Sequence, residues 1–370
     1  MNRGGAEKVT LALHRMFPDA PIFTALYHPE ATFEDFSSAD VRPSRLQRRS
    51  RDAEAFRRFL PWFARAFRSM DLRGFDLVIS SSAGFSHHVR PDGGCHIVYC
   101  HTPPRFLWDE RYDRSVAPRW ARPMVPAVLR GLRRGDRRAA ARAHAYVANS
   151  KVTALRIKRV YGRRSVVVHP PVEVERFSTG PTGDHYLVVG RLLAHRRMDL
   201  AVRAFTQLGK RLIVVGDGPA RAELERIAGP TIEFAGAVPD ERLETLYASC
   251  RGVIVPGVED FGIVPLEANA AGRPVIARAA GGALETVVDG RTGVLFDAET
   301  PEALADAILR REQLRFDPAN LRAHAASFGA DAFAHQMRSV IASTASACLE
   351  CARTRKIHLP TAVAAAAEEA

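Results

Sequence analysis

Short runs of β-branched and aliphatic residues alternate with helical segments along most of this chain, and this alternation limits its fold more than any other feature. It is typical of parallel β-sheets whose faces are covered by helices. We predict strands at residues 75–80, 96–100, 145–148 and 165–168 in the first half, and at 186–189, 211–215, 232–234, 252–255 and 274–277 in the second. The sequence therefore predicts an α/β protein with two Rossmann-like, doubly wound domains.

The segment 170–185 contains three prolines and two glycines and separates the two runs of strands. It is typical of a linker. We place an N-terminal domain at residues 1–170 and a C-terminal domain at 171–345, whose last helix packs back on the first domain. Residues 346–370, polar and then alanine-rich, are predicted to be a disordered tail. Two doubly wound domains in tandem predict a ligand cleft between them, at the carboxyl ends of the strands.

The positive charge of the chain, +12 in total, is concentrated in the first domain. Residues 1–170 contain 31 Lys or Arg against 15 Asp or Glu. Two arginine-rich stretches, 42–73 and 119–142, interleave arginine with aromatic and aliphatic residues at helical spacing. Such stretches favour an anionic membrane surface over nucleic acid as a partner, although solvated helix faces would also account for them.

The N-terminus has no apolar leader, and the chain has no apolar run of about 18 residues, the length expected of a spanning helix. We therefore expect a cytoplasmic protein that is peripheral on the inner face of the plasma membrane, with no sequence indication of its oligomeric state. In that compartment the five cysteines are predicted to be free thiols.

Two glutamates, Glu259 and Glu267, stand eight positions apart around a glycine-containing loop and the start of a predicted helix. The backbone N–H groups of Phe261, Gly262 and Ile263 would be available there to a polar or anionic ligand. Glu259 could accept hydrogen bonds from sugar hydroxyls, and Glu267 from both hydroxyls of a ribose. A simple strand–loop–helix would explain the backbone but not both carboxylates.

A second cluster, Gly190 to Arg197, follows the predicted strand 186–189 and contains three arginines. Arginines at the end of a parallel strand would face the predicted cleft, and their planar donors suit a diphosphate. Because a leaving diphosphate gains charge as its glycosidic bond breaks, fixed cations there would stabilise the transition state more than the ground state.

In both halves the sequence resembles family-4 glycosyltransferases with the GT-B fold. The second half carries GRLLAHRRMDLAVRAF, VVGDGP, FAGAVPDERLETLYASC, the Glu259–Glu267 element and AAGRPVIARAAGGALETVVDGRTGVLF in that family's order. The first half carries GGAEKV, YCHTPPRFLWD and ANS. The resemblance implies a retaining hexosyltransferase that takes its sugar from a nucleotide-sugar, without a further cofactor. It also implies that the N-terminal domain, 1–170, binds the acceptor and the C-terminal domain, 171–345, binds the donor.

The resemblance also implies roles for single residues. Arg191 and Arg196 would bind the diphosphate, Arg196 with a catalytic part; Glu259 would lie near the transferred sugar as a catalytic residue, and Glu267 on the ribose. His101 would orient the sugar or stabilise the developing oxocarbenium ion. Gly5 and Ser150 would complete the donor site. The HTPPRFLWD segment is similar to that of mannosyltransferases of cell-surface polysaccharide synthesis, which favours GDP-mannose over a UDP-sugar and a glycan or polyprenyl-linked acceptor.

The chain departs from the family in two places. Arg196 stands where the family usually has lysine, which keeps the charge but changes its geometry. Only three residues precede GGAEKV, where the family normally has an apolar strand of about a dozen residues. We therefore expect an N-terminal domain without its first strand, a start codon assigned too late, and poor folding or activity of this form of the chain.

No Asp-x-Asp element occurs at a predicted strand end, so the sequence predicts no metal site, and arginines would take the place of a divalent cation. Neither glutamate is assigned as a covalent nucleophile; front-side displacement is expected. Two alternatives remain open: a non-hydrolysing nucleotide-sugar epimerase on the same fold, and a non-catalytic basic protein that binds a membrane surface.

Overall fold

The computed structural model describes residues 4–49, 56–109 and 124–354. The chain divides into two compact units: Met1–His169 together with Phe333–Ala370, and Pro170–Ala332. The predicted arginine stretches are therefore described in part only, since Arg51, Arg119 and Arg122 lie outside the described residues. No described helix is long and apolar enough to cross a membrane.

The second unit contains one six-stranded, wholly parallel sheet. Its strand order is β12-β11-β10-β7-β8-β9. The strands are β7 (His185–Val189), β8 (Arg211–Val215), β9 (Ile232–Gly236), β10 (Val253–Val255), β11 (Val275–Arg278) and β12 (Gly293–Phe296). This order is that of a doubly wound sheet, in which the chain starts at the centre, moves outward, and returns to the centre to build the other half.

Helices cover both faces of this sheet because alternate strand residues point to opposite sides. Leu187 of β7 packs in one apolar cluster, while its neighbours Tyr186 and Val188 pack in the other. The helices are α6 (Met198–Leu208), α7 (Arg221–Ile227), α8 (Asp240–Ser249), α9 (Val264–Ala270), α10 (Ala283–Thr286), α11 (Pro301–Gln313) and α12 (Pro318–Ala326).

The first unit contains a four-stranded parallel sheet of β3 (Leu77–Ser82), β4 (Cys95–Cys100), β5 (Ala145–Ala148) and β6 (Val166–Val167), in that order. Strands β1 (Ile22–Thr24) and β2 (Val41–Pro43) pair only with each other. No described strand joins the two sheets. Strands β1 and β2 were not predicted, because three residues are too few to show an alternation of apolar and polar side chains.

The helices of the first unit also lie on both faces of the larger sheet. One apolar cluster combines Ile97 and Tyr99 of β4 with Val9, Phe333 and Met337, and the other combines Val98 and Tyr146 with residues of two further helices. The helices are α1 (Gly5–Met16), α2 (Phe56–Arg68), α3 (Arg105–Trp108), α4 (Val125–Arg142), α5 (Lys151–Tyr161) and the C-terminal α13 (Ala330–Thr354).

Helix α13 corrects two predictions. Residues 346–354, predicted to belong to a disordered tail, are helical and continue α13. This helix packs in an apolar cluster of the first unit through Phe333 and Met337. The rest of the predicted tail, 355–370, lies outside the described residues. The prediction of free thiols is also wrong for one pair, since Cys348 of α13 is disulfide-bonded to Cys95 at the start of β4, across a Cα–Cα distance of 6.4 Å. Cys100 and Cys250 are buried free thiols.

Candidate functional site

The centre of the second unit's sheet places two of the predicted site segments side by side. Strands β7 and β10 are hydrogen-bonded neighbours, and the chain turns to opposite halves of the sheet after them. Arg191 and Arg196 follow β7, whereas Glu259 follows β10. Open α/β sheets bind ligands outside the carboxyl ends of the strands at such a switch point. The fold therefore concentrates these side chains where a ligand site is expected.

Close backbone packing shapes the loops at this end of the sheet. Gly216, after β8, has a φ of +124°, and a Cβ atom there would overlap the carbonyl oxygen of Gly190. The N–H group of Leu192 donates to the carbonyl of Asp217, with a distance of 3.0 Å. Likewise a Cβ on Gly282 would overlap the carbonyl of Phe261 in the loop after β10. Glycines thus let neighbouring loops touch where side chains would hold them apart.

Arg196 and Glu259 form an ion pair across the switch point, with 3.3 Å between the guanidinium Nη1 and the carboxylate Oε1. Both side chains are about three-quarters buried. The Nε atom of Arg196 is buried and has no hydrogen-bond partner among the described residues. Arg191, in contrast, is exposed. The pair presents one fixed positive and one fixed negative group, a combination suited to a diphosphate and a sugar hydroxyl.

The loop after β10 leads into helix α9 as predicted. Gly262 has a φ of +81°, which only glycine adopts without strain, and Ile263 precedes the first helical residue. Phe261 is buried. Among the described residues, no acceptor pairs with the backbone N–H groups of Gly262 and Ile263. Glu267 lies inside α9 and is 8% exposed, so its carboxylate needs polar partners.

One of these partners is Tyr247 of α8, whose hydroxyl donates to the Glu267 carboxylate at 2.9 Å. Tyr247 is fully buried; burial first, and then the Glu267 charge, hold the pKa of its phenol well above the usual range, so it stays a donor. Arg176, ion-paired with Glu244 at 2.7 Å, lies within electrostatic range of Glu267. Tyr247 and Arg176 were not predicted as site residues, because the sequence around a single tyrosine or arginine does not indicate which residue its side chain will contact.

We expect Tyr247→Phe to weaken nucleotide diphosphate binding about tenfold, because a charge-assisted hydrogen bond of about 1.5 kcal/mol that orients Glu267 is lost. Isothermal titration calorimetry with GDP and UDP measures the effect. Tyr186→Phe is the matched control, since the Tyr186 hydroxyl donates to Glu312 at 3.0 Å in the same unit. Equal affinity in the two variants would show that Tyr247 does not position the nucleotide site.

The predicted residues of the first unit lie at the corresponding end of its sheet. His101 follows β4, and its Nε2 is 2.9 Å from the Ser81 hydroxyl, while its carbonyl accepts from Thr153. Ser150, predicted to line the donor site, is fully buried and caps the N-terminus of α5, accepting from the Thr153 N–H at 3.1 Å. Gly5 is the first residue of α1. His101 is thus held by side chains from β3 and α5.

The carboxylate of Asp136 on α4 is completely buried and accepts four hydrogen bonds. Their donors are His87 (3.0 Å), His88 (3.1 Å), Trp108 (2.7 Å) and Tyr161 (2.8 Å). Asp136 is the only acidic residue in the arginine-rich stretch 119–142, a sequence signal that could have drawn attention to it. The network ties the HTPPRFLWD segment, which starts at His101, to three neighbouring elements.

His87, His88 and Asp136 are also the one group among the described residues that brings three potential metal ligands within 4.8 Å. Each Asp136 oxygen already accepts two hydrogen bonds, from the two histidines on one side and from Trp108 and Tyr161 on the other. This full satisfaction of the carboxylate explains the cluster as a structural network.

Two family models cover most of the chain. Residues 3–176 match Glycosyltransferase Family 4, and residues 183–312 match Glycosyl transferases group 1. Each match coincides closely with one half of the chain, divided near Pro170. Each half of the chain thus matches a glycosyltransferase family model.

Curated relatives match the chain in part. A GDP-mannose-dependent alpha-(1-6)-phosphatidylinositol monomannoside mannosyltransferase from Mycolicibacterium smegmatis is 32% identical over 192 residues, 43% of this chain and 50% of that protein. A glycogen synthase from Thermus caldophilus is 37% identical over 179 residues, 45% of this chain and 40% of that protein. The aligned region thus spans half or less of these relatives' length.

Solved structures resemble the chain over nearly its whole length. The Anabaena protein HepE in complex with UDP aligns with a TM-score of 0.67 and 17% identity, covering 92% of this chain and 96% of that one. A sucrose-phosphate synthase from Thermosynechococcus elongatus aligns with a TM-score of 0.70 and 22% identity, covering 92% of each chain. These likenesses confirm the predicted fold class, two Rossmann-like domains of the GT-B type.

Proposed function

We propose that this chain, whose two halves each match a glycosyltransferase family model, moves a hexose from a nucleotide-sugar to a glycan or lipid-linked acceptor, with retention of configuration and without a metal ion. The observation that carries the proposal is the Arg196–Glu259 ion pair at the switch point of a doubly wound sheet. Glu267, held by Tyr247, stands on the helix that follows. One cation and two carboxylates of this kind suit a diphosphate, a sugar and a ribose.

In the proposed reaction the bond between the anomeric carbon and the diphosphate oxygen breaks, and an acceptor hydroxyl attacks from the same face. A phosphate oxygen of the leaving group takes the hydroxyl proton, so no carboxylate needs to act as nucleophile. Arg196 and Arg191 stabilise the charge that develops on the diphosphate. Glu259 binds hydroxyls of the transferred sugar.

For the donor we propose GDP-mannose ahead of UDP-glucose. The support is the resemblance of the HTPPRFLWD segment to mannosyltransferases, together with the partial match to a protein described as GDP-mannose-dependent. The UDP in the HepE complex makes a uridine donor the alternative to test. Product analysis in the experiment described below identifies the transferred hexose, the linkage and the acceptor.

We also propose that the enzyme works at the cytoplasmic face of an anionic membrane, where a lipid-linked acceptor would be presented. Helices α2 and α4 pack on a common apolar cluster through Phe63 and Leu129. Their outer sides expose large apolar residues, with Trp62 at 56%. Helix α4 also carries four exposed arginines: Arg130, Arg134, Arg137 and Arg138. Apolar residues within a basic field are typical of helices that rest in a membrane interface.

The proposal is tested by incubating the protein with GDP-mannose, UDP-glucose and a polyprenyl-linked acceptor, and following donor and acceptor by mass spectrometry. Transfer or slow donor hydrolysis is the expected result. Conversion of the nucleotide-sugar to its epimer would replace the proposal with an epimerase. Well-folded protein that binds vesicles but consumes no donor would replace it with a non-catalytic membrane-binding protein.

A further inference from the structure

A surface pocket of about 440 Å³ lies at the amino edge of the first unit's sheet. It is lined by Val89, Arg90, Pro91, Gly94, His96, Arg142 and His144. Gly94 and His96 flank the start of β4, and His144 precedes β5. His101 follows the other end of β4, about 17 Å away at about 3.3 Å per residue. The pocket is therefore separate from the proposed transfer site.

The charge in this pocket is positive and lacks a carboxylate counterpart. Arg90 follows the turn Ser86–His88, and Arg142 ends α4. No described carboxylate forms an ion pair with either arginine, whereas Arg176, Arg197, Arg221 and Arg310 each pair with one. Burial, followed by the charges of Arg90 and Arg68, lowers the pKa of Arg142. Arg90 and Arg142, distant in sequence, thus line one pocket with no described carboxylate paired to either, and an anion there would relieve their repulsion.

Arg142 uses one of its five N–H donors on the Arg138 carbonyl, at 3.2 Å, which leaves others for a ligand. His144 adds a donor. Its Nδ1 accepts from the backbone N–H of His96 at 2.9 Å, so the proton of neutral His144 is on Nε2. His96 is 1% exposed, and its Nδ1 has no hydrogen-bond partner among the described residues.

We propose that this pocket binds the phosphate group of a small phosphorylated solute, with Arg90, Arg142 and the His144 Nε2–H group as its donors. Two guanidinium groups supply charge and paired N–H donors, which is the usual recognition of phosphate by arginine. His144 contributes a hydrogen bond rather than charge at neutral pH, because burial lowers its pKa; the same cause lowers the pKa of His96 to about 3. The site is independent of the nucleotide site, and hence of the proposed function.

The test is calorimetric titration of the full chain with inorganic phosphate at constant ionic strength. We expect saturable binding that Arg90→Ala/Arg142→Ala weakens at least tenfold. Arg159→Ala/Arg164→Ala is the matched control, because it removes the same charge from exposed positions of the first unit outside the pocket. Its phosphate affinity should remain within twofold of that of the unmutated chain. If the double variant does not fold, the single variant Arg90→Ala is titrated instead, because Arg90 lies in a loop.

Three outcomes would overturn the proposal. The first is the absence of saturable phosphate binding, and the second is an equal loss in both double variants, which would indicate a general charge effect. The third is loss of phosphate binding in Arg191→Ala, which would place the phosphate in the nucleotide site.

A parallel assay uses phosphatidylcholine vesicles containing phosphatidic acid. If the pocket variant lost vesicle binding but kept its phosphate affinity, the site would belong to a lipid surface instead.

Discussion

Arg196→Ala is expected to lower the rate of sugar transfer by about 10²–10³-fold, the usual effect of removing one preorganised group that stabilises developing charge. Its guanidinium is held by Glu259 at 3.3 Å and is packed beneath Gly190, so it needs no reorganisation when the diphosphate leaves. Alanine also leaves the Glu259 carboxylate without this partner. Steady-state kinetics with the donor identified by the screen measures kcat and KM separately.

Arg203→Ala is the control for this experiment, because Arg203 is an exposed arginine on α6 of the same unit and its loss changes the net charge equally. A fall in kcat with little change in KM would place the action of Arg196 in the transition state. If folded Arg196→Ala protein kept at least a third of the rate of the unmutated chain, the assignment of the diphosphate site would be wrong.

Asp136→Ala is expected to destabilise the first unit by about 3–5 kcal/mol, the usual cost of removing one partner from a buried, charged network. Four donors, on His87, His88, Trp108 and Tyr161, would lose their common acceptor. Urea unfolding followed by tryptophan fluorescence measures the loss in the first unit, because all three tryptophans of the chain belong to that unit and none to the second. Asp71→Ala, which removes an exposed carboxylate bonded to Arg73, should change the free energy of unfolding by no more than about 1 kcal/mol.

The same network predicts the direction of the pH dependence. Although burial opposes ionisation, hydrogen bonds from His87 and His88 hold the pKa of Asp136 well below its usual range. The unfolded chain therefore takes up a proton on this carboxyl group at a higher pH than the folded chain. The stability that Asp136 contributes is complete at neutral pH and is lost as the pH falls below about 4. If the free energy of unfolding lost in Asp136→Ala were as large at pH 3 as at pH 7, this explanation would be contradicted.

Much of the fold was predictable because its signals are local. Every strand of the six-stranded sheet except β12 was predicted from its run of mainly aliphatic residues. The signal is clearest in the central strand β10, which is buried along its whole length because helices cover both faces of the sheet. The loop and helix around Gly262 and Glu267 were predicted for a similar reason: the glycine, the carboxylates and the helical run lie within a dozen residues of each other.

Tertiary structure alone decided which distant groups became partners. Tyr247 donates to Glu267 across 20 residues, Asp136 collects donors from as far as 49 residues away, and Cys348 reaches Cys95 across 253. Sequence spacing does not encode such pairs, because they depend on which faces of the sheet the helices cover and how closely their backbones approach. The sequence thus determined the strands, the helices and the chemistry at the strand ends, while packing determined which buried groups hold that chemistry in place.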